Sequence, residues 1–421
     1  MCVSGSKATI AAFTLRPPHL RICLNIVSTA VITKQSDLTA FCERMRKAGR
    51  IAFDTEFVSE HTYRPQLCLV QCATDDEAHC IDTLADLDLA PLWDVLTDPT
   101  HEVIAHAARQ EMLFALEASG RRLARLFDVQ IAAGMIGMEF PAGYGNLISR
   151  LLNVVPQKGE TRTDWRRRPL TDRQIEYGVA DVRYLLPLYD KLTAKLAHLK
   201  RSEWMAVEME AFQVDIENSL TRERWRRVSG SSGMSNRCQA VMRELWTWRE
   251  NEAERRDLPP RLILRDDLLV ELAKRKVADP KHIGALRGME RPELRRAIPD
   301  LAKAVQRALD LPDDQLPTAQ RVDSNSHLSM LGQFLSAALT SICRGAEIAP
   351  AIVGTANDVR ELVNYRLNGV MDSEGNVPCL ARGWRADVVG HLIEELLAGR
   401  MSIRIADPDS EHPLVFEEAK R

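Results

Sequence analysis

The sequence predicts an α/β domain built on a mixed sheet, followed by two all-helical domains, and three observations carry that prediction. Between residues 27 and 130, short apolar runs with strand character alternate with amphipathic helical segments. Beyond 130 almost every apolar segment has helical spacing. Two polar stretches, "VSGSSGMSN" at 228–236 and "LDLPDDQLPTAQRVDSNSH" at 309–327, then punctuate the helical part. The expected division is an N-terminal, disordered extension over 1–26, an α/β domain over 27–227, a helical domain over 236–310, a linker over 311–326 and a second helical domain over 327–406.

The elements follow in order. "AVITKQSDLTAFCERMRKAG" predicts a short strand, then a helix capped by Ser36 or Asp37 and closed by Gly49. Strands are expected at 50–57, 67–74 and 78–82, a helix near 88–97, a strand at 102–106, a helix at 107–119 and a short strand near 125–130. This βββαβα order implies a hairpin-built sheet edge that continues into parallel crossovers. Long helices at 171–199 and 202–226 complete the first domain. The second opens with a long helix, a Pro-Pro turn and a helix capped by Asp266 or Asp267. The third has Leu331, Phe334, Leu335 and Leu339 as core candidates and ends in a strand, "SIRI", at 402–405.

A chain of 421 residues can supply a core to each of three domains. Its composition, 45% hydrophobic and 27% charged, is that of a soluble globular protein, and no apolar run reaches the length of a membrane span. The net charge of −3 means that any grip on nucleic acid must come from local basic patches. Nine cysteines in apolar contexts read as reduced thiols of a cytoplasmic protein. Cys68, Cys72 and Cys80, with His79, lack the paired spacing of a zinc site. Residues 1–24 carry Lys7, Arg16 and Arg21 without an acid, which suits a disordered extension, a transit peptide or a start codon assigned too early.

Within "RIAFDTEF", Asp54 and Glu56 stand two apart on a strand and so share one face. Two ionised carboxylates at that distance repel each other. They either reach solvent at a strand end or hold protons or a divalent cation between them. Tyr177 and Asp181 lie four apart on a helical segment and project from one face, as an ion-binding set or as an ordinary exposed pair. Glu111 sits in the first turns of a helix entered directly from a strand, where an acid also stabilises the helix N-terminus.

In this order, the strand D-x-E, the strand-to-helix acid and the helical Y-x-x-x-D resemble the three motifs of the DEDD superfamily of 3′→5′ exonucleases, in its tyrosine-bearing subgroup. The resemblance is closest to the ribonuclease D family. It runs through "AFDTEFVSEHTYRPQLCLVQCA", "HAARQE", "FDVQIAA" and "YGNLISRLLNVVPQKGETRTDWRRRPLTDRQIEYGVADVRYL". Downstream, "LWTWRENEAERRDLPPRLILRDDLLVELA" resembles an HRDC module, and "RGWRADVVGHLIEELLAG" resembles the family's C-terminal segment, so the likeness covers roughly residues 27–405.

The resemblance implies a ribonuclease H-like exonuclease domain followed by two HRDC-like helical domains. It implies two divalent ions, Mg²⁺ or Mn²⁺, held by Asp54, Glu56, Glu111 and Asp181, with Tyr177 orienting the attacking water. The reaction it implies is stepwise hydrolysis of RNA from a single-stranded 3′ end to nucleoside 5′-monophosphates. The implied substrate is a structured RNA, above all a tRNA precursor, and the enzyme is expected to act as a monomer. Glu111 departs from the family, which has Asp there, by one methylene, or about 1.5 Å. A DNA 3′→5′ exonuclease and a catalytically weakened RNA-binding protein are the alternatives. For substrate contacts the sequence offers His61 and Tyr63 after the first motif. It also offers Lys158, Trp165, Arg166, Arg167 and Arg168 before the third, where a tryptophan among arginines suits base stacking beside phosphates and equally suits a core tryptophan under a solvated face.

Overall fold

The computed structural model describes residues 31–123, 125–155, 163–221, 224–231, 233–317, 326–371 and 375–419; the predicted extension over 1–26 lies outside them. β1 (Val31–Ile32), α1 (Gln35–Met45), β2 (Arg50–Val58), β3 (Gln66–Ala73), β4 (Ala78–Asp82), α2 (Ala90–Leu96), β5 (Glu102–Ala105), α3 (Arg109–Ser119), β6 (Leu126–Asp128) and α4 (Val129–Met135) follow in sequence. The six strands form one sheet in the order β1-β4-β3-β2-β5-β6. β2 pairs antiparallel with β3 and β3 antiparallel with β4, while β5 adds parallel to β2, β6 parallel to β5 and β1 parallel to β4. The expected mixed sheet is therefore present, with β2 at its centre.

Two cap expectations are corrected. α1 begins one residue before Ser36, with Lys34 at the N-cap and no side-chain cap bond, so Ser36 and Asp37 lie in its first turn. Asp266 likewise opens its helix instead of capping it. In both, a carboxylate in the first turn still stabilises the exposed N–H groups of the helix end.

A short helix α5 (Tyr144–Leu147) leads towards α6 (Asp172–Arg183) and α7 (Leu185–His198), so the long helix expected at 171–199 breaks at Tyr184. α8 (Ser202–Thr221) then packs on α3, α4, α7 and the edge strand β6. α6 starts with a capping box: the Thr171 hydroxyl accepts from the Gln174 N–H while the Gln174 side chain accepts from the Thr171 N–H. α6 packs on β2, β3 and β4 at one face of the sheet. Phe53 against Trp93 of α2, and Phe57 against Phe114 of α3, cover the other face.

The next region comprises α9 (Asn236–Arg256), α10 (Pro260–Ile263), α11 (Asp266–Arg275), α12 (Pro280–Gly284) and α13 (Pro292–Asp310). Its buried residues, among them Val241, Leu245, Leu269, Leu301 and Val305, form a core of their own. The last region holds α14 (Ser326–Gly345), α15 (Pro350–Val353), α16 (Ala356–Asn368), α17 (Gly383–Arg385) and α18 (His391–Leu397). Its buried Leu335, Leu339, Leu362 and Val363 belong to the same cluster as the sheet.

Phe334, expected in that core, is 58% exposed, because it falls on the outer face of α14. The strand expected at 402–405 is β7 (Met401–Ile405), and it pairs with a second strand, β8 (Leu414–Glu418), which closes a terminal hairpin. No helix among the described residues is long and apolar enough to cross a membrane.

Candidate active site

Side chains alternate along β2, and its antiparallel register sets Asp54 opposite Gln71 and Glu56 opposite Leu69. Gln71 is in turn opposite Cys80 of β4. Asp54, Glu56, Gln71 and Cys80 thus share the face that α6 covers. A register shift between Glu56 and Phe57 ends the regular pairing immediately after the second acid.

Gly178 lets α6 come this close. A methyl group there would lie 3.0 Å from the Gln71 side-chain nitrogen and 3.2 Å from the Cys80 sulfur, tighter than ordinary contact. The approach brings Tyr177 and Asp181, one turn apart, over β2. The Tyr177 phenol hydrogen-bonds the Asp181 carboxylate. Its ring leans on Trp165, with centroids 6.1 Å apart.

Glu111 arrives from the opposite side, in the first turn of α3. The buried carboxylate of Asp128 fixes the entry to that helix. It accepts hydrogen bonds from the N–H groups of Ala107 (3.2 Å) and Ala108 (2.8 Å), and also from those of Gln130 and Ile131 as the N-cap of α4. Asp128 therefore acts as the clasp of the β5–α3 turn, where Ala107 adopts a left-handed φ of 56°. Glu111 is 5% exposed, and its Oε1 accepts from the Thr55 hydroxyl at 2.6 Å.

All four carboxylates are raised by their surroundings. Burial, then the Asp181 charge, raises Asp54 well above the ordinary carboxylate range. Burial raises Glu56 to about 9, with Asp54, Asp181 and Glu111 adding to the effect. Glu111 rises to about 8, through burial and then Asp54, although the Thr55 hydrogen bond opposes it. Asp181 rises to about 7 through burial, against the Tyr177 hydrogen bond. Tyr177 is itself raised by burial and by Asp181, which keeps the phenol neutral.

The donor set is all oxygen and suits a hard divalent cation, which would replace protons as the neutraliser of four neighbouring acids. Among the described residues, no three acidic, histidine or cysteine side chains are gathered closely enough to hold an ion. Gln71, fully buried with both amide atoms unpartnered on the Asp54 face, shows that polar capacity there is unused.

The residues offered for substrate contact separate. Trp165 is 3% exposed and packed in the core, so it is corrected from a stacking platform to a support for Tyr177. Arg168 is likewise corrected. Its guanidinium grips Asp82 through two nitrogens and also donates to the carbonyls of Cys68, Trp165 and Arg167, which leaves it committed inside the protein. Arg166 pairs with Asp164 at 2.9 Å, whereas Arg167 stays 85% exposed. His61 is exposed after the first motif. Tyr63 turns towards α9: its N–H donates to Asp257 and its phenol hydrogen-bonds Glu250. Lys158 lies outside the described residues.

Three neighbours of the site escaped the sequence reading: Thr55, Gln71 and Tyr144. The Tyr144 phenol donates to the Ala180 carbonyl at 3.5 Å, and its pKa is raised by burial and then by Asp181 and Asp54. Gln71 could have been found by strand pairing with Asp54, whereas alternation turns Thr55 to the other face of β2 and only the fold brings it to Glu111.

Comparison with known proteins bears on these observations. A 3′-5′ exonuclease family model matches residues 29–197 and an HRDC domain model matches residues 239–305. A ribonuclease D of Gluconacetobacter diazotrophicus is 35% identical over 384 residues, covering 89% of this chain and 94% of the relative. One from Jannaschia sp. is 33% identical, covering 88% and 96%. Among solved structures, Escherichia coli RNase D, an exoribonuclease involved in structured RNA processing, superposes with a TM-score of 0.77 at 27% identity, over 88% of this chain and 99% of its own.

Proposed function

This chain belongs to the ribonuclease D family of 3′→5′ exoribonucleases, and from that premise we propose that it trims the 3′ ends of structured RNA, tRNA precursors foremost, releasing nucleoside 5′-monophosphates. It acts in the cytoplasm as a monomer. The observation that carries the reading is the set of Asp54, Glu56, Glu111 and Asp181 near Tyr177, half-buried except for the fully buried Glu111, with their charges raising one another. Divalent cations would neutralise such a set.

Asp54, Glu56, Glu111 and Asp181 would hold two Mg²⁺ or Mn²⁺ ions. When bound, these supply charge neutralisation at the scissile phosphate and a water of lowered pKa. Asp54, which lies within electrostatic reach of Asp181, Glu56 and Glu111, would contribute to holding both ions, Glu56 and Asp181 would add to the charge on the side of the attacking water, and Glu111 on the side of the leaving 3′ oxygen. The neutral Tyr177 phenol, hydrogen-bonded to Asp181, orients that water and does not act as its base. The exposed Arg167 and His61 meet phosphates of the incoming strand.

The test is incubation of 5′-labelled single-stranded RNA and DNA with wild type and Asp54→Asn, in Mg²⁺, Mn²⁺ or EDTA. Stepwise 3′ shortening of RNA that needs metal and is lost in Asp54→Asn is expected. Shortening of DNA alone would replace the substrate assignment, and binding without shortening in either metal would remove the enzyme reading.

A further inference from the structure

We infer that Thr55 is a positioning residue for Glu111, the device by which this site accommodates a glutamate where its family has an aspartate. The inference rests on the metal-holding reading of the four carboxylates given above.

Thr55 sits between Asp54 and Glu56, so alternation turns its side chain to the opposite face of β2, the face that α3 covers. There its hydroxyl donates to Oε1 of Glu111 at 2.6 Å, with both side chains buried, at 6% and 5% exposure. Asp128 has already fixed the backbone from which Glu111 projects. What remains free is the glutamate side chain, which has one more rotatable bond than aspartate.

A carboxylate on a flexible side chain without a donor swings towards another partner. The Thr55 hydroxyl opposes that by tying down Oε1, which fixes the side chain in one arrangement. An aspartate at 111 would end about 1.5 Å short. From a 2.6 Å contact that puts the hydroxyl out of hydrogen-bond range. The effect of Thr55 should therefore exist only in combination with Glu111, and a purely structural threonine would not show that dependence.

The experiment titrates Mn²⁺ by calorimetry into full-length wild type, Thr55→Val, Thr55→Ser, Glu111→Asp and the Thr55→Val/Glu111→Asp double variant. Thermal unfolding in EDTA checks that each is folded. Valine keeps the shape and β-branching of threonine at a buried strand position, so the fold is expected to survive. Thr55→Val should weaken Mn²⁺ binding by about 10- to 100-fold, the usual cost of losing a group that orients a ligand. Thr55→Ser should bind as wild type, and the double variant no more weakly than Glu111→Asp alone.

An equal loss from Thr55→Val in both backgrounds would overturn the inference. So would tighter binding in Thr55→Val, which would mean that the hydroxyl keeps the carboxylate from the ion. If wild type binds Mn²⁺ and every variant binds alike, this inference alone falls. If wild type takes up none, the metal-holding reading falls and takes the inference with it.

Discussion

The two helical regions that follow the exonuclease domain are joined to it in opposite ways. The HRDC region keeps a core of its own, which also takes in Trp225 and Val228 just ahead of it, and it meets the loop after β2 through polar contacts. Arg64 bridges Glu117 of α3 and Glu254 of α9 at 3.0 Å each, and Tyr63 reaches Asp257 and Glu250. The last region instead continues the core of the sheet. The buried guanidinium of Arg201 donates to the carbonyls of Met135, Ala346 and Glu347, and Arg385 clasps Glu208 through two bonds of 2.8 Å. At Gly134 an added methyl group would lie 2.5 Å from the Ile352 side chain, so α4 and α15 meet at a distance that only glycine allows. Sequence reading treats the two regions as similar helical domains. Packing makes one a separable appendage and the other part of the catalytic body.

The largest test of this difference cuts each core. Leu362→Ala, in the shared core, should destabilise the exonuclease by about 2–5 kcal/mol and cost activity on every substrate. Leu245→Ala should cost the HRDC core a similar amount. It should nevertheless leave hydrolysis of short single-stranded RNA intact. Calorimetry should resolve two transitions, and each variant should move a different one. A single transition shifted by both would break the comparison.

Next in size, Arg385→Ala removes the partner of a mostly buried Glu208 and should lower only the catalytic transition, by about 3 kcal/mol, in chemical denaturation.

Changing pH tests the same division. Asp181, Glu111 and Glu56 are raised to about 7, 8 and 9, so between the ordinary carboxylate range and those values the folded chain binds more protons than the unfolded one. Stability from this source is full below the ordinary carboxylate range, falls as pH rises from there, and is gone once pH passes 7 to 9. In EDTA the catalytic transition should fall across that window while the HRDC transition stays level, and Mn²⁺ should restore the former most at the alkaline end. A level catalytic transition would mean that the carboxylates are not raised by burial.

Smallest is Arg64→Ala. Arg64 is 59% exposed in its pairs with Glu117 and Glu254, so its loss should change stability by no more than about 1 kcal/mol. Fluorescence transfer between labels on the two bodies should nonetheless report a looser arrangement. KM should rise for structured RNA and stay unchanged for short oligomers.

Much of the site was legible because its motifs are local. Period two puts Asp54 and Glu56 on one face, and one helical turn puts Tyr177 over Asp181. What was missed depends on distant pairing. The Thr55 to Glu111 bond spans 56 positions. Arg168 meets Asp82 across 86, and nothing in "DWRRRPL" says which arginine will be committed in this way. Trp165 was ambiguous for the same reason, since a tryptophan among arginines suits a surface until α6 is seen to cover it. Phe334 fits the apolar spacing of α14 yet faces outwards, because Leu335 and Leu339 take the buried face of the helix, which packs on α15 and α16.

By itself the sequence determined the order of the main strands and helices, the shared face of Asp54 and Glu56 and that of Tyr177 and Asp181, and the family. Alternation, helical pitch and motif spacing are written into neighbouring residues. Only the tertiary structure decided that Thr55 holds Glu111, that Asp128 fixes a turn, and that the last helical region shares the catalytic core. Those outcomes depend on which surfaces close against one another, and burial then turns each such meeting of polar groups into a requirement for a partner.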